Sequence, residues 1–304
     1  MKQMYFDIQV NGYAGTDFNQ NDLRIDDLHL ACEKLQADDV KGILATIITA
    51  EYDSMKYRLK KIAKYRNEDD LIKEIICGFH IEGPFINNQD GFRGAHPSEF
   101  IMQANVDKMK HLLDAADGLT RIVTLAPEVD SGFKTISMLS KNKIVVAAGH
   151  CDPTLKELQG AIDNGLSMFT HFGNGCPKLL DRHYNVLQKV LSVKEHLWVC
   201  LIADGIHIPF YALKNYLSML GYEKSIVVTD AMAAAATIPG EYTLSNLTIE
   251  VGDDLIVREP GKSNFAGSSI TMKKSNDNLM KALGIGNEET MKLTYSNPLK
   301  SIGL

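Results

Sequence analysis

Short apolar runs rich in β-branched residues recur along the chain, most of them followed by apolar positions at helical spacing. Eight such runs stand at Tyr5 to Val10, Ile43 to Ile48, Ile75 to Ile81, Arg121 to Leu125, Ile144 to Ala148, Ser167 to Thr170, Trp198 to Ile202 and Ile226 to Thr229. Several are apolar throughout, as strands covered on both faces must be. Helical periodicity is strongest at Asp26 to Ala37, Asp53 to Tyr65, Ala104 to Ala115 and Pro209 to Leu220. Eight strand–helix units predict an α/β fold, a TIM (β/α)8 barrel formed by residues 1–304 as one catalytic domain. In that fold the working side chains gather at the C-terminal ends of the strands.

One stretch, KIVVAAGHCDPTLKELQGAIDNGLSMFTHFGNG at 143–175, shows the unit in detail: two apolar runs end in His150 and His171. Between them Asp152 is expected to cap a helix that has Pro153 at its first position. Leu155, Leu158 and Ile162 follow at helical spacing, and Asn164-Gly165 supplies a left-handed stop. Parallel neighbours lie about 4.8 Å apart, so side chains leaving two strand ends can converge on one ion. Past Asp230 the pattern changes, and alternation in YTLSNLTIEV predicts a β-rich excursion at about 237–266. Helices resume at Ser269 to Leu283 and Glu288 to Tyr295. Gly-Lys-Ser at 261–263 does not complete a phosphate loop, because Ile256 stands where the upstream glycine is required.

A net charge of −6 argues against a nucleic-acid surface and leaves room for an anionic small molecule only through locally placed cations. No run approaches the roughly 18 to 20 apolar residues of a membrane span, and MKQMYFDIQV lacks the apolar core of a secretory signal. Five cysteines without a CxxC pair are expected to be reduced thiols in a cytoplasmic protein.

The predicted strand ends carry Gln9 and Asn11, His80 and Glu82, Glu128, His150, His171, Asp204 and His207, and Asp230. Glu82, His150 and His171 make a set suited to one divalent metal held by three protein ligands with a position left open. Zinc suits these donors best; iron, cobalt and manganese also bind imidazole and carboxylate. Such an ion acidifies water and polarises a carbonyl, and Asp230 is placed to accept a proton. Duller roles stay open at this point: Glu82 before Gly-Pro as a turn cap, Asp230 as a loop cap, the histidines as satisfied core residues.

The runs GFHIEGPF, GAHP, AAGH, THFGNG, ADGIH, VVTDAM, PGEYTL and AGSSITM, in that order, resemble the N-acetylglucosamine-6-phosphate deacetylases of the amidohydrolase superfamily. The resemblance runs from about Phe6 to Leu304, where NPLKSIGL is similar to the family's NPAKxLGL. It implies removal of acetyl from an amino sugar phosphate, with Glu82, His150 and His171 as metal ligands and Asp230 as general acid/base. It further implies that His96 polarises the acetyl carbonyl and that Gly83, Asn174, Gly175 and His207 bind substrate. Arg182 falls where the family uses an arginine of the neighbouring subunit for phosphate, so a homodimer is expected.

Three departures shape these expectations. Gln9 and Asn11 replace the His-x-His of two-metal relatives, which implies a single ion. Gly173, Asn174, Gly175 and Cys176 replace the family's usual substrate loop, so a deacylase of another N-acyl amino sugar or N-acyl amino acid is an alternative. A non-catalytic sugar-phosphate binder is the alternative of another class. The small β-sandwich domain of the relatives is expected to be largely missing.

Overall fold

The structure, a computed structural model, describes residues 3–258 and 265–304, so the Gly-Lys-Ser at 261–263 lies outside the described residues. Eight strands run Tyr5–Val10, Val40–Ile48, Ile76–Glu82, Thr120–Leu125, Val145–Ala148, Leu166–Phe169, Trp198–Ile202 and Ser225–Val228. Each pairs in parallel with the next in chain order. All C-terminal ends therefore open on one mouth. Alternate side chains point inward, where Phe6, Ile8, Leu44, Ile122, Met168 and Val228 fill the barrel, while the larger core lies between strands and helices. Tyr295, Leu299 and Ile302 close the floor against that inner cluster. They come from a wide π turn at Lys292–Ser296, the helix Asn297–Ser301 and the residue that ends it. The turn precedes Pro298, which has no amide to continue a regular helix.

The helix between His150 and His171 begins two residues later than the sequence suggests, at Leu155–Asp163. Thr154 and Glu157 form a reciprocal capping box, which satisfies two free amides where Asp152 could satisfy one. Asp152 instead accepts from Lys189 Nζ at 3.0 Å. The stop is made by Gly165, at φ +109°.

The excursion is a three-stranded antiparallel sheet, Gly240–Leu244, Leu247–Val251 and Val257–Arg258. Leu244, Ile249 and Val251 pack against Ile48 and Met232 to Ala234 at the barrel's edge. Its turn is tethered: Ser245 N donates to Asp17 Oδ2 at 2.7 Å and Ser245 Oγ accepts from Arg58 Nη1 at 3.0 Å. Among the described residues the remaining β structure is a small hairpin at Gly12–Tyr13 and Thr16–Asp17, and no sandwich domain is present. No helix among them is long and apolar enough to cross a membrane.

Between the first and last barrel strands the described residues form no ladder. Asn11 N and Gly12 N donate to Ala231 O at 2.7 and 3.2 Å, and below them the buried Asp7 carboxylate accepts from Thr229 N and Thr229 Oγ1. Burial pushes the Asp7 carboxyl up to about 7, against the opposing hydrogen bond from the Thr229 hydroxyl. A carboxyl raised in the folded state contributes stability that is complete below its ordinary range and is lost as pH rises through about 7. Asp7→Asn cannot titrate, so its melting temperature relative to wild type should climb between pH 4 and pH 8, by about 4 °C or more. A difference that is flat with pH would show that Asp7 does not hold its proton.

Candidate active site

Glu82 ends the third strand; His150, His171 and Asp230 each stand two residues beyond the fifth, sixth and eighth. The last three have φ of +50°, +28° and +51°, a region that non-glycine residues rarely occupy. In each case a neighbouring amide holds the residue's carbonyl: Asn87 N donates to His150 O, Asn174 N to His171 O and Ser268 N to Asp230 O, all at 2.9 Å. Strained backbone kept in place this way turns the side chains into the mouth.

There His171 Nε2 lies 3.0 Å from Glu82 Oε1 and 3.1 Å from His150 Nε2, and His150 Nε2 lies 3.4 Å from Glu82 Oε1. All three residues are buried, and their ligand atoms lie within 4.8 Å of one another. The Phe92 carbonyl, 2.8 Å from His150 Nδ1, can only accept. Nδ1 therefore carries the hydrogen and Nε2 presents its lone pair to the centre. Burial alone would raise the Glu82 carboxyl, but the His150 and His171 imidazoles beside it hold it well below the usual carboxylate range. Burial likewise opposes protonation of His171, and the bond to Glu82 outweighs it, raising the imidazole. A buried anion facing two imidazole nitrogens fits a divalent cation in place of those protons.

Around this centre, Gln9 Nε2 donates to both Glu82 oxygens at 3.2 Å, and Gln9 Oε1 accepts from Thr170 Oγ1 at 2.5 Å. Asn11 Nδ2 donates to Asp230 Oδ1 at 2.7 Å. Burial, then the charge of Glu82, raises the Asp230 carboxyl, which makes it a stronger base than an exposed aspartate. The His96 ring meets that of His150 edge-on with centroids 4.4 Å apart, and its Nδ1 is buried without a partner. Burial and then His150 depress His96 to about 3, so its imidazole is neutral. His207 Nδ1 bonds Asp204 Oδ2 at 2.6 Å, while Asp204 Oδ1 accepts from the amides of Ile206 and His207 at 2.8 Å. Phe265, from the far end of the small sheet, lies 4.7 Å from the His207 ring.

These groups share a cleft of about 380 Å³ at the barrel mouth. Glu82, His96, His150, His171, Asn174, Gly175, His207 and Asp230 all line it. Gly175 has φ +62°, and a Cβ there would stand 3.0 Å from His150 Nδ1, so this close approach needs a glycine. Two residues expected to bind substrate, Gly83 and Arg182, are not among the lining. Gly83 lies beneath the cleft with its amide on Thr124 O at 3.0 Å, where a Cβ would meet Thr49 Oγ1 at 2.1 Å. Arg182 is exposed on the loop beyond Pro177. His80 sits lower in the barrel between Ile8 O and Thr124 Oγ1, and burial lowers it to about 4. Sequence reasoning passed over Lys178, the one lysine or arginine among the described lining residues, and Phe265. A lysine in a polar loop carries no signal of its own.

A parallel barrel with a buried Glu/His/His donor set at its mouth and an aspartate after its last strand has the make-up of a metal-dependent hydrolase. No protein-family model matches the chain. The N-acetylglucosamine-6-phosphate deacetylase of Bacillus subtilis (strain 168) is 29% identical over 300 residues, covering 98% of this chain and 74% of the relative. The N-acetylgalactosamine-6-phosphate deacetylase of Escherichia coli O157:H7 is 27% identical over 300 residues, covering 99% and 77%. A mutant N-acetyl-D-glucosamine-6-phosphate deacetylase of Mycobacterium smegmatis, solved in complex with N-acetyl-D-glucosamine-6-phosphate, superposes with a TM-score of 0.90 at 26% identity, over 99% of this chain and 77% of that one. The corresponding enzyme of Pasteurella multocida gives 0.87 at 28% identity, over 99% and 76%. The chain is thus similar, over almost its whole length, to N-acetylglucosamine-6-phosphate deacetylases.

Proposed function

We infer that the protein hydrolyses the acetamide of N-acetylglucosamine 6-phosphate to glucosamine 6-phosphate and acetate. The observation that carries this reading is Asp230, half-buried and oriented by Asn11 beside the Glu82, His150 and His171 donors, in a chain similar to deacetylases of this sugar phosphate. The three donors would hold one divalent ion, zinc by preference, which supplies Lewis acidity toward a carbonyl and toward water when bound. Asp230 takes a proton from the attacking water and returns it to the departing amine. The neutral His96 imidazole donates to the acetyl oxygen as negative charge develops there. His207, fixed by Asp204, holds the sugar together with Asn174 and Gly175. Gly83 acts indirectly, by setting the turn after Glu82.

The phosphate needs a cation, and we place Lys178 of the same chain and Arg182 of a second copy around it, which makes the active form a homodimer. Five free cysteines fit a cytoplasmic setting. The small sheet, with Phe265 against His207, serves as the roof of one catalytic unit. The glycines at 173 and 175, which place no side chain in the cleft on either side of Asn174, favour a second reading in which another N-acyl amino sugar is the substrate.

Acetate release from N-acetylglucosamine 6-phosphate, its galacto epimer and unphosphorylated N-acetylglucosamine tests these readings together. The glucosamine phosphate should lead, with kcat/KM at least about a hundredfold above the unphosphorylated sugar. Lys178→Ala and Arg182→Ala should each erode that preference about tenfold through KM, the usual loss of one charge-assisted bond. A monomer that keeps the full preference would exclude Arg182 acting across a subunit boundary. Release from none of the three sugars would exclude the reading as a whole.

A further inference from the structure

The seam of the barrel lies directly beneath the proton carrier. Thr229 precedes Asp230, and its amide and hydroxyl are both directed at Asp7: Thr229 N donates to Oδ2 at 3.2 Å and Thr229 Oγ1 to the same oxygen at 2.5 Å. Asp7 also accepts from Gln9 N at 3.1 Å, and the Gln9 side chain reaches Glu82. Asp7 itself is 2% exposed and does not line the cleft.

A seam that needed only closing could be closed by a backbone ladder or by apolar contact. A buried carboxylate surrounded by three donors carries a desolvation penalty, and what it adds is direction. That direction matters one residue further on. Asp230 is held at φ +51°, so the aim of its carboxylate depends on the peptides on both sides of it. Ser268 fixes the following side, through its amide on Asp230 O at 2.9 Å. On the preceding side Asp7 holds the Thr229 amide and hydroxyl, and Ser268 Oγ donates to Thr229 O at 2.5 Å. We propose that Asp7 is a positioning residue for the reaction, fixing the Thr229 peptide so that Asp230 faces the Glu82, His150 and His171 donors. The proposal rests on the reading of Asp230 as proton carrier given above.

The test compares Asp7→Ala and Thr229→Val with their conservative partners Asp7→Asn and Thr229→Ser, measuring bound metal per chain, KM and kcat on N-acetylglucosamine 6-phosphate well below each melting temperature. The alanine and valine variants should lose about 10- to 100-fold in kcat, the size expected of a carboxylate displaced by about an ångström. Metal content and KM should stay within about twofold of wild type, and the asparagine and serine variants should recover most of the loss. If Asp7→Ala does not fold, Thr229→Val decides, since it removes one hydroxyl at constant shape. Unchanged kcat with only a lower melting temperature would overturn the proposal. So would loss of metal alongside kcat, which would assign the seam to Glu82 through Gln9. Asp230→Asn separates the two layers: if it remains active, the proton-carrier reading fails and takes this proposal with it. If it is inactive while Asp7→Ala and Thr229→Val keep full kcat, the positioning role alone fails.

Discussion

Asp230→Asn should bind metal as wild type does and lose about a thousandfold or more in kcat, the upper range for removing a positioned proton carrier. Asparagine matches the shape of aspartate, and its Oδ1 can still accept from Asn11 Nδ2, the bond of 2.7 Å that orients the native side chain. What asparagine cannot do is take a proton. Metal should be retained because the three donors clustered within 4.8 Å are Glu82, His150 and His171, without Asp230. A base works only when deprotonated, so wild-type kcat/KM rises with pH along an acid limb, and the residual activity of Asp230→Asn should lack that limb. Metal analysis, steady-state kinetics and a pH profile check the three parts. Joint loss of metal and activity would make Asp230 a ligand.

Much of this chemistry is legible in the sequence because the barrel converts position into convergence. An apolar run that ends in histidine, read twice with a helix between, places His150 and His171 on neighbouring strand ends, and Glu82 follows from the same rule. The rule fails where a residue acts through its backbone or its lack of a side chain. Gly83 looks like a contact residue beside a ligand, yet its part is a left-handed turn under Thr49. The cap at Thr154 was hidden by a nearer candidate, Asp152, because a reciprocal pair with Glu157 outranks a single acceptor. Lys178 and Phe265 line the cleft from positions that no periodicity picks out. Asp7 is the clearest case: a lone aspartate in an apolar strand reads as a blemish until the last strand is laid beside the first.

Glu82→Ala should reverse the pattern of Asp230→Asn, losing the metal first and the activity as a consequence. Glu82 is the one anion of the donor set, and its removal leaves two neutral imidazoles with no carboxylate to balance a divalent charge. Even partners that merely orient a ligand are worth about 10- to 100-fold in metal affinity, so deleting a ligand should lower affinity by more than about a hundredfold. Chelator-stripped wild type should regain activity with one equivalent of zinc, while the variant should stay inactive at the same concentration. The fold should survive, because Glu82 bonds His150, His171 and Gln9 at the mouth, whereas the inner core around Phe6, Leu44 and Ile122 lies below it. Circular dichroism and metal analysis on one sample separate the cases. A folded variant with full metal and no turnover would mean that the histidines hold the ion with another residue, and Asp230, the remaining carboxylate among the described lining residues, would then be the ligand.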